Sequence, residues 1–598
     1  MGALPALPVA VPLLVAAALV GLAPVIRRRP ADAVAVATAA TVAGLCAALL
    51  LQAAGGPVVY WFGGWTPRQG IALGVAFAID PVGAGLATLA GVLATAALVF
   101  SWRYFEAVGT LYHSLMLVFL AGIVGFCLSG DLFNMFVFYE LLSVSAYALA
   151  GYRTEDPGSL QGALNFAITN SVGAFLVLAG IALLYGRSGA LNLAQLGQAL
   201  ASGPADRLVV VAFLLLLVGF FVKAAVVPFH FWLADAYAMA PTPVGMLFAG
   251  VVSELGLYAL ARVYWTVFSG PLAADAGGLR AVLLGAGVVT ALVGGVMCLL
   301  QHHLTRLLAY ATISHVGLTL TGLALLGPAG LGGAVLYAVA DGLIKGSLFA
   351  SVGIVQYHLG SVDELALRGR GRHLPWTATL VVLGALGLAG VPPFGTFLGK
   401  ALMEEAAGAA GHAWLTALFV VVAALTAAAL LRAAGRVFLG LGGPPARAVD
   451  APPGPAHPTM LAPAALLLAG ALAIGLVPGL AGRVELAAAR FTDRPAYAAA
   501  VLQGASGPGG ADAESHPPGY PAGPAGWATL AAVLGLALGI WPLLRRRPSG
   551  LRGRAAARLW APVGAALRSL HNGHIGDSVT WLVVGMAAFG TLLALVVR

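Results

Sequence analysis

Charge is what this chain has least of. Its 598 residues include 31 Lys or Arg and 22 Asp or Glu, 9% in all, where a soluble domain carries roughly 25%. That excludes a solvated globular fold. Cysteine is almost missing. Cys46, Cys127 and Cys298 lie singly in apolar runs, with no CxxC pair and no Cys/His metal spacing, so neither disulfide, zinc nor iron–sulfur chemistry is expected. There is no phosphate-binding glycine loop and no G-x-G-x-x-G between a strand and a helix, and no pair of intramembrane histidines signals haem. Cofactors and metals are therefore expected to be none. Strand-like alternation is lacking too, which excludes a β-barrel.

What is present is hydrocarbon. Hydrophobic residues make up 60% of the chain, and the mean hydropathy is +0.95. Runs of about 20 apolar residues, enough to cross a bilayer as a helix, recur along nearly the whole length. They predict an all-α polytopic membrane protein of about 16 spans, with lipid as its solvent. The net charge of +9 needs no nucleic acid to explain it, because much of it follows the positive-inside rule. With "RRR" at 27–29 in the cytoplasm, strict alternation puts Arg103, Arg153, "RGRGRH" at 368–373, Arg432, Arg436 and "RRRPSGLRGR" at 545–554 on the same side. Arg187 and Arg483 fall on the other, and both termini lie outside. The first run, Leu4 to Val25, lacks a basic start and reads as a retained span.

Four regions follow. Residues 1–107 form a three-helix flank whose loop "YWFGGWTPRQG" suits a short hairpin. Residues 108–270 and 271–440 form two five-helix repeats, and 441–598 form a C-terminal flank. The flank has a Pro-rich loop, one more span, a polar stretch over 504–525 that reads as disordered, a basic amphipathic stretch at 551–572 and two terminal spans. The repeats echo each other in "LLLLVGFFVKAAVVPFHFW", with Lys223 ahead of Pro228, and "GALGLAGVPPFGTFLGKAL", with Lys400 after Pro392 and Pro393. Proline-broken helices in two halves are the signature of inverted repeats with an ion path at the breaks.

The ionisable residues inside apolar sequence are Glu140, Lys223, Glu254, His315, Asp341, Lys345 and Lys400, with Glu404 and Glu405 near the last. Each costs roughly 2.5–3.5 kcal/mol at bilayer depth even on the lenient insertion scale. One such residue can simply hold two helices together; seven over successive spans point to a relay. Opposite charges moving together or apart switch each other's proton affinity. Asp341 and Lys345, like Lys400 and Glu404, are spaced i, i+4 on one helix face. His315 is suited to passing protons.

The stretches "SGDLFNMFVFYELLSVSAYAL", "VKAAVVPFHFWLADAYAMAPTPV", "RLLAYATISHVGL" and "GVPPFGTFLGK" closely resemble the antiporter-like, proton-conducting subunits shared by respiratory complex I, hydrogenase-4-type complexes and Mrp Na+/H+ antiporters. The wording is nearest the D-type subunit of the last. The resemblance covers about 110–405 and implies a multi-pass subunit of a multi-subunit complex in a bacterial plasma membrane, with protons and, in an antiporter, Na+ as its ions. It further implies that Glu140 pairs with Lys223, that Lys345 and Lys400 are the basic residues of the second half, and that His315 lies on the connecting path. The chain departs from the family where "SELG" puts Glu254 at a lysine position and "DGLIK" puts Asp341 at a histidine position. Glu254 is expected to share a proton or ion pair with Lys223 or His315. The alternative is a structural subunit of such a complex that does not conduct. Any redox activity would belong to partner chains.

Overall fold

The computed structural model describes residues 4–105, 108–201, 203, 205–443, 456–504, 522–544 and 575–596. The basic stretch at 551–572 and most of the polar stretch at 504–525 lie outside the described residues.

The chain opens with α1 (Leu7–Gly21) and α2 (Arg28–Ala53), followed by a hairpin of β1 (Val58–Trp61) and β2 (Ala76–Ile79), antiparallel with Val58 opposite Ile79. Then come α3 (Pro81–Tyr104), α4 (Thr110–Leu128), α5 (Leu132–Ala150), α6 (Pro157–Ser188), the short α7 (Leu193–Ala199), α8 (Arg207–Ala224) and α9 (Phe231–Met239). A continuous span, Thr242–Phe268, comprises α10 (Thr242–Leu247), a π-helical stretch (Phe248–Val252), α11 (Ser253–Val263) and a second π-helical stretch (Tyr264–Phe268). The second half is α12 (Ala276–Leu300), α13 (Leu304–Ala324), α14 (Pro328–Leu359), α15 (Pro375–Leu388), α16 (Gly395–Ala409) and α17 (Leu415–Val437). The flank adds α18 (Pro458–Leu476), α19 (Leu480–Thr492), α20 (Arg494–Gln503), α21 (Ala522–Leu544) and α22 (Ile575–Val596).

Among the described residues fifteen helices are long and apolar enough to cross a membrane. Counting the broken pair α15 and α16 as one more crossing meets the expected sixteen. Where apolar helices begin is set by caps: Asp80, Asp131, Asp156, Asn192 and Asp206 each accept backbone N–H groups at the first turn of a helix, satisfying donors that have no intrahelical partner.

Two series of five crossings share one order. In the first, α4, α5 and α6 lead to α8, broken before α9, then Thr242–Phe268; in the second, α12, α13 and α14 lead to α15, broken before α16, then α17. Five crossings reverse the chain's direction, so the second series is inverted. The breaks match in detail. Val226 N–H donates to Phe221 O at 3.0 Å, and Val391 N–H to Leu386 O at 3.1 Å, each two residues before the proline of a cis peptide, Val227–Pro228 or Pro392–Pro393. Side chains take up backbone groups freed by each break. Thr290 Oγ1 accepts from Val227 N–H and Trp232 Nε1 donates to Val222 O, while Thr396 donates to Gly387 O.

Among the described residues, basic clusters gather at one end, while "RRRPSGLRGR" at 545–554 lies outside them. Arg28 donates to the carbonyls of Trp102 and Phe105, Arg153 donates to Tyr104, and Tyr104 bonds Gln356. Arg432, Arg436 and His302 converge nearby on the buried Glu364. The hairpin caps the opposite end. Arg187, on that hairpin face, is matched by Asp206 at 3.0 Å. The backbone N–H of Val209, then Arg187, hold the Asp206 carboxyl below its usual range. After α18 come α19 and α20, which hydropathy does not mark because each is too short to span a membrane. α19 is amphipathic, and the apolar run of α20 is only seven residues long.

Candidate functional site

Seven ionisable side chains were expected at bilayer depth, and six are buried to 4% exposure or less. Glu140 is the exception. It is half-buried on α5, and one of its carboxylate oxygens has no hydrogen-bond partner.

In the first half, Lys223 occupies the last turn of α8, where the break ends the helix and Ala225 takes a left-handed φ of 56°. Its Nζ donates to Ser143 Oγ at 2.9 Å and stands 4.7 Å from the centre of the Tyr139 ring. Such a cation–π contact is worth up to ~2 kcal/mol when desolvated. Lys223 is thus held by a hydroxyl and a ring on α5. Glu140, beside Tyr139 in the chain, acts on it only through space, and the implied direct ion pair is not formed.

The centre lies on α14, all of whose turns around Asp341 are buried. Asp341 accepts from both sides: Lys345, one turn on, forms an ion pair with it, and His315 Nδ1 on α13 stands 2.7 Å from its Oδ1. Tyr337 Oη approaches the same imidazole nitrogen at 3.0 Å, and Nε2 reaches Thr426 Oγ1 on α17 at 3.4 Å. His315 therefore links α13, α14 and α17 through groups that can pass a proton. The i, i+4 spacing announced the Asp341–Lys345 pair; the His315–Asp341 pair, 26 residues apart, it could not.

Glu254 sits where the first π-helical stretch returns to α-helix. Neither of its oxygens has a hydrogen-bond partner. The expected partners, Lys223 or His315, are not the ones the structure supplies: the charges acting on Glu254 are Lys345 and Asp341. The cause is a close crossing of backbones. A Cβ on Gly342 would collide with the carbonyl oxygen of Gly250, so two glycines let α14 lie against the π-helical stretch and bring its charges to α11.

In the second half, Lys400 on α16 is 1% exposed and its Nζ has no hydrogen-bond partner. Glu404 lies one turn on and acts on it through space, without the ion pair that the spacing suggested. The two breaks are not chemically equivalent. "VVPFHFWLAD" and "VPPFGTFLGK" align with Asp235 opposite Lys400, and Asp235 is paired with Arg306 at 3.0 Å. That alignment was the signal that would have added Asp235 to the candidates. Two more buried pairs went unpredicted, Asp32 with His113 at 2.8 Å between the N-terminal flank and the first repeat, and Asp80 with Arg262 at the hairpin face. Among the described residues no group of three His, Cys, Asp or Glu is placed to hold a metal ion.

Known proteins resemble this chain in sequence and fold. Residues 129–426 match the family described as "NADH:quinone oxidoreductase/Mrp antiporter, TM". NADH-quinone oxidoreductase subunit N of Desulforudis audaxviator is 34% identical over 493 residues, 79% of this chain and 95% of that one. A Na(+)/H(+) antiporter subunit of Bacillus subtilis is 29% identical over 453 residues, 74% and 87%. A chain of the Mrp complex from Dietzia sp. superposes with a TM-score of 0.74 at 30% identity, covering 84% of this chain and all of that one. A family match over both broken helices, and identity above 30% along nearly the whole of a relative, agree with the geometry: this chain is an antiporter-like membrane subunit and belongs to the NADH:quinone oxidoreductase/Mrp antiporter transmembrane family.

Proposed function

We propose that this subunit conducts protons along a midplane chain of Lys223, Glu254, Asp341, Lys345, His315 and Lys400, with Glu140 tuning Lys223, as part of a multi-subunit complex in a bacterial plasma membrane. The reading rests on one observation above all: Asp341 is shared between Lys345 and His315 inside a closed bundle. A carboxylate between a cation and an imidazole can favour either neighbour's charged form, so a change in one alters the proton affinity of the other. Lys223 and Lys400 stand beside the two breaks, where interrupted helices line ion paths in membranes. The likeness to a Na+/H+ antiporter subunit supports cation/proton exchange as the coupled process, and that to a quinone oxidoreductase subunit supports a redox drive from partner chains. The residue ranges 1–107, 108–270, 271–440 and 441–598 are the units we assign to flank, first repeat, second repeat and flank.

Acidic side chains at Glu254 and Asp341, where the resemblance implies a lysine and a histidine, favour a second reading, a subunit that holds its neighbours without conducting. Lys223→Ala and Lys400→Ala in the assembled complex separate the two. Conduction requires that each abolish proton transport in vesicles while assembly is retained; transport that survives both refutes the relay.

A further inference from the structure

A side branch leaves the midplane chain at Glu254. Glu254, Tyr258 and Arg262 stand at i, i+4 and i+8 on α11, one stripe of a single face. A partly open cavity of about 30 Å³ lies along this stripe, between α3, α11, α13 and α14, and in its largely apolar wall Glu254, Tyr258 and Thr319 are the polar side chains. At ~10–15 Å³ per molecule it has room for about two waters. Both hydroxyls spend their protons on backbone carbonyls, Tyr258 on Cys127 O at 2.7 Å and Thr319 on His315 O at 3.1 Å, and leave oxygen lone pairs for water. Both Glu254 oxygens are unpartnered at 4% exposure. A buried carboxylate left so costs ~1–3 kcal/mol or more, a penalty that water admitted to this cavity would remove.

The stripe continues to the hairpin face. Arg262 pairs there with Asp80, the residue that caps α3 and whose side chain is 12% exposed. The guanidinium lies 3.8 Å from the centre of the Phe491 ring of α19, and Tyr258 and Tyr497 flank it at 5.7 and 5.5 Å. One residue thus closes the stripe and ties together the N-terminal flank, the first repeat and the C-terminal helices.

Accepting the proton relay, we infer that Glu254 and its hydrated cavity are a proton outlet from the midplane to the hairpin face, plugged by the Arg262–Asp80 pair. The step is a transfer alone: an O–H bond of Glu254 breaks, one forms on cavity water, and the hydronium gives its proton onward past Asp80 while Glu254 is reprotonated from the Lys345 side.

The test is made in the assembled complex. Ala338→Leu and Val335→Phe fill the cavity without touching a charge, and each should lower proton transport at least tenfold with assembly retained. Separately, Glu254→Cys is probed from the hairpin face with a membrane-impermeant cationic methanethiosulfonate. Labelling should be slow with Arg262 in place, at least tenfold faster with Arg262→Ala or the milder Asp80→Asn, and slow again when Ala338→Leu is added. A purely structural role for Arg262 would not make labelling depend on cavity volume. Full transport in both filled variants, or labelling indifferent to Arg262, Asp80 and Ala338, overturns the outlet. Lys223→Ala, measured alongside, separates the failures: if it abolishes transport while the filled variants do not, the relay stands and the outlet falls, whereas full transport in Lys223→Ala removes the relay and the outlet with it.

Discussion

Replacing Asp341 with asparagine tests the centre of the bundle most directly. The carboxylate is 1% exposed and serves two buried partners, Lys345 at 0% and His315 at 0%. Removing one member of a buried ion pair costs about 3–5 kcal/mol, because the other charge stays desolvated. At about 1.4 kcal/mol per tenfold, that is roughly two to three and a half orders of magnitude in the folding equilibrium. We expect Asp341→Asn to lower the thermal midpoint and yield of the detergent-solubilised complex and to stop proton transport. The double change Asp341→Leu with Lys345→Met removes both charges, and replacing a whole buried pair with apolar groups is often neutral. It should recover most of the stability and none of the transport, measured by dye quenching in inverted vesicles. A single variant as stable and active as the parent would refute the reasoning. So would a double variant that transports protons.

Other outcomes follow from the same geometry. Ser143→Ala removes the hydroxyl bonded to Lys223 at 2.9 Å, a hydrogen bond to a charged group worth ~1.5–3 kcal/mol, so transport should slow without ceasing, unlike in Lys223→Ala; an unchanged rate would count against the placement of Lys223. Gly342→Ala forces a Cβ against the Gly250 carbonyl, and overpacking of ~1–3 kcal/mol should show as lowered abundance of the chain in membranes, with normal abundance contradicting the close crossing. Asp206 is a pH marker at the hairpin face. Its carboxyl is held below the usual 3.8, so its contribution is present above that pH and is lost as pH falls through the lower folded value. Thermal midpoints of the parent and Asp206→Asn should therefore differ slightly at neutral pH and converge in acid; a gap that widens in acid would reverse the sign.

Much of this site was legible before folding because a charge in hydrocarbon is costly wherever the helix lies. Cost alone picked out Lys223, Glu254, His315, Asp341, Lys345 and Lys400, all of them buried. It was less informative about Glu140, which the fold leaves half-buried, because hydropathy sees the depth of a residue and not which side of its helix faces neighbours. Pairings followed the same divide. Asp341–Lys345 came from a spacing on one helix. The partners of Glu254 depended on Gly250 and Gly342 letting two backbones touch, an event between residues distant in sequence. Asp80 went unnoticed because it lies at the end of an apolar segment, where a charge costs little until tertiary packing encloses it, and its partner Arg262, in the last third of the span Thr242–Phe268, lies 182 residues away.

The medium, the number of crossings, the two proline breaks and the grouping of basic residues at one face all follow from the order of residues along the chain. These depend on local composition and on the obligation to satisfy backbone groups in lipid. Which carboxylate meets which cation, where a cavity is left and what closes it come only with the packed bundle. Those are set by helix crossings, and a crossing is determined by the shapes of two surfaces that the chain's order does not place side by side.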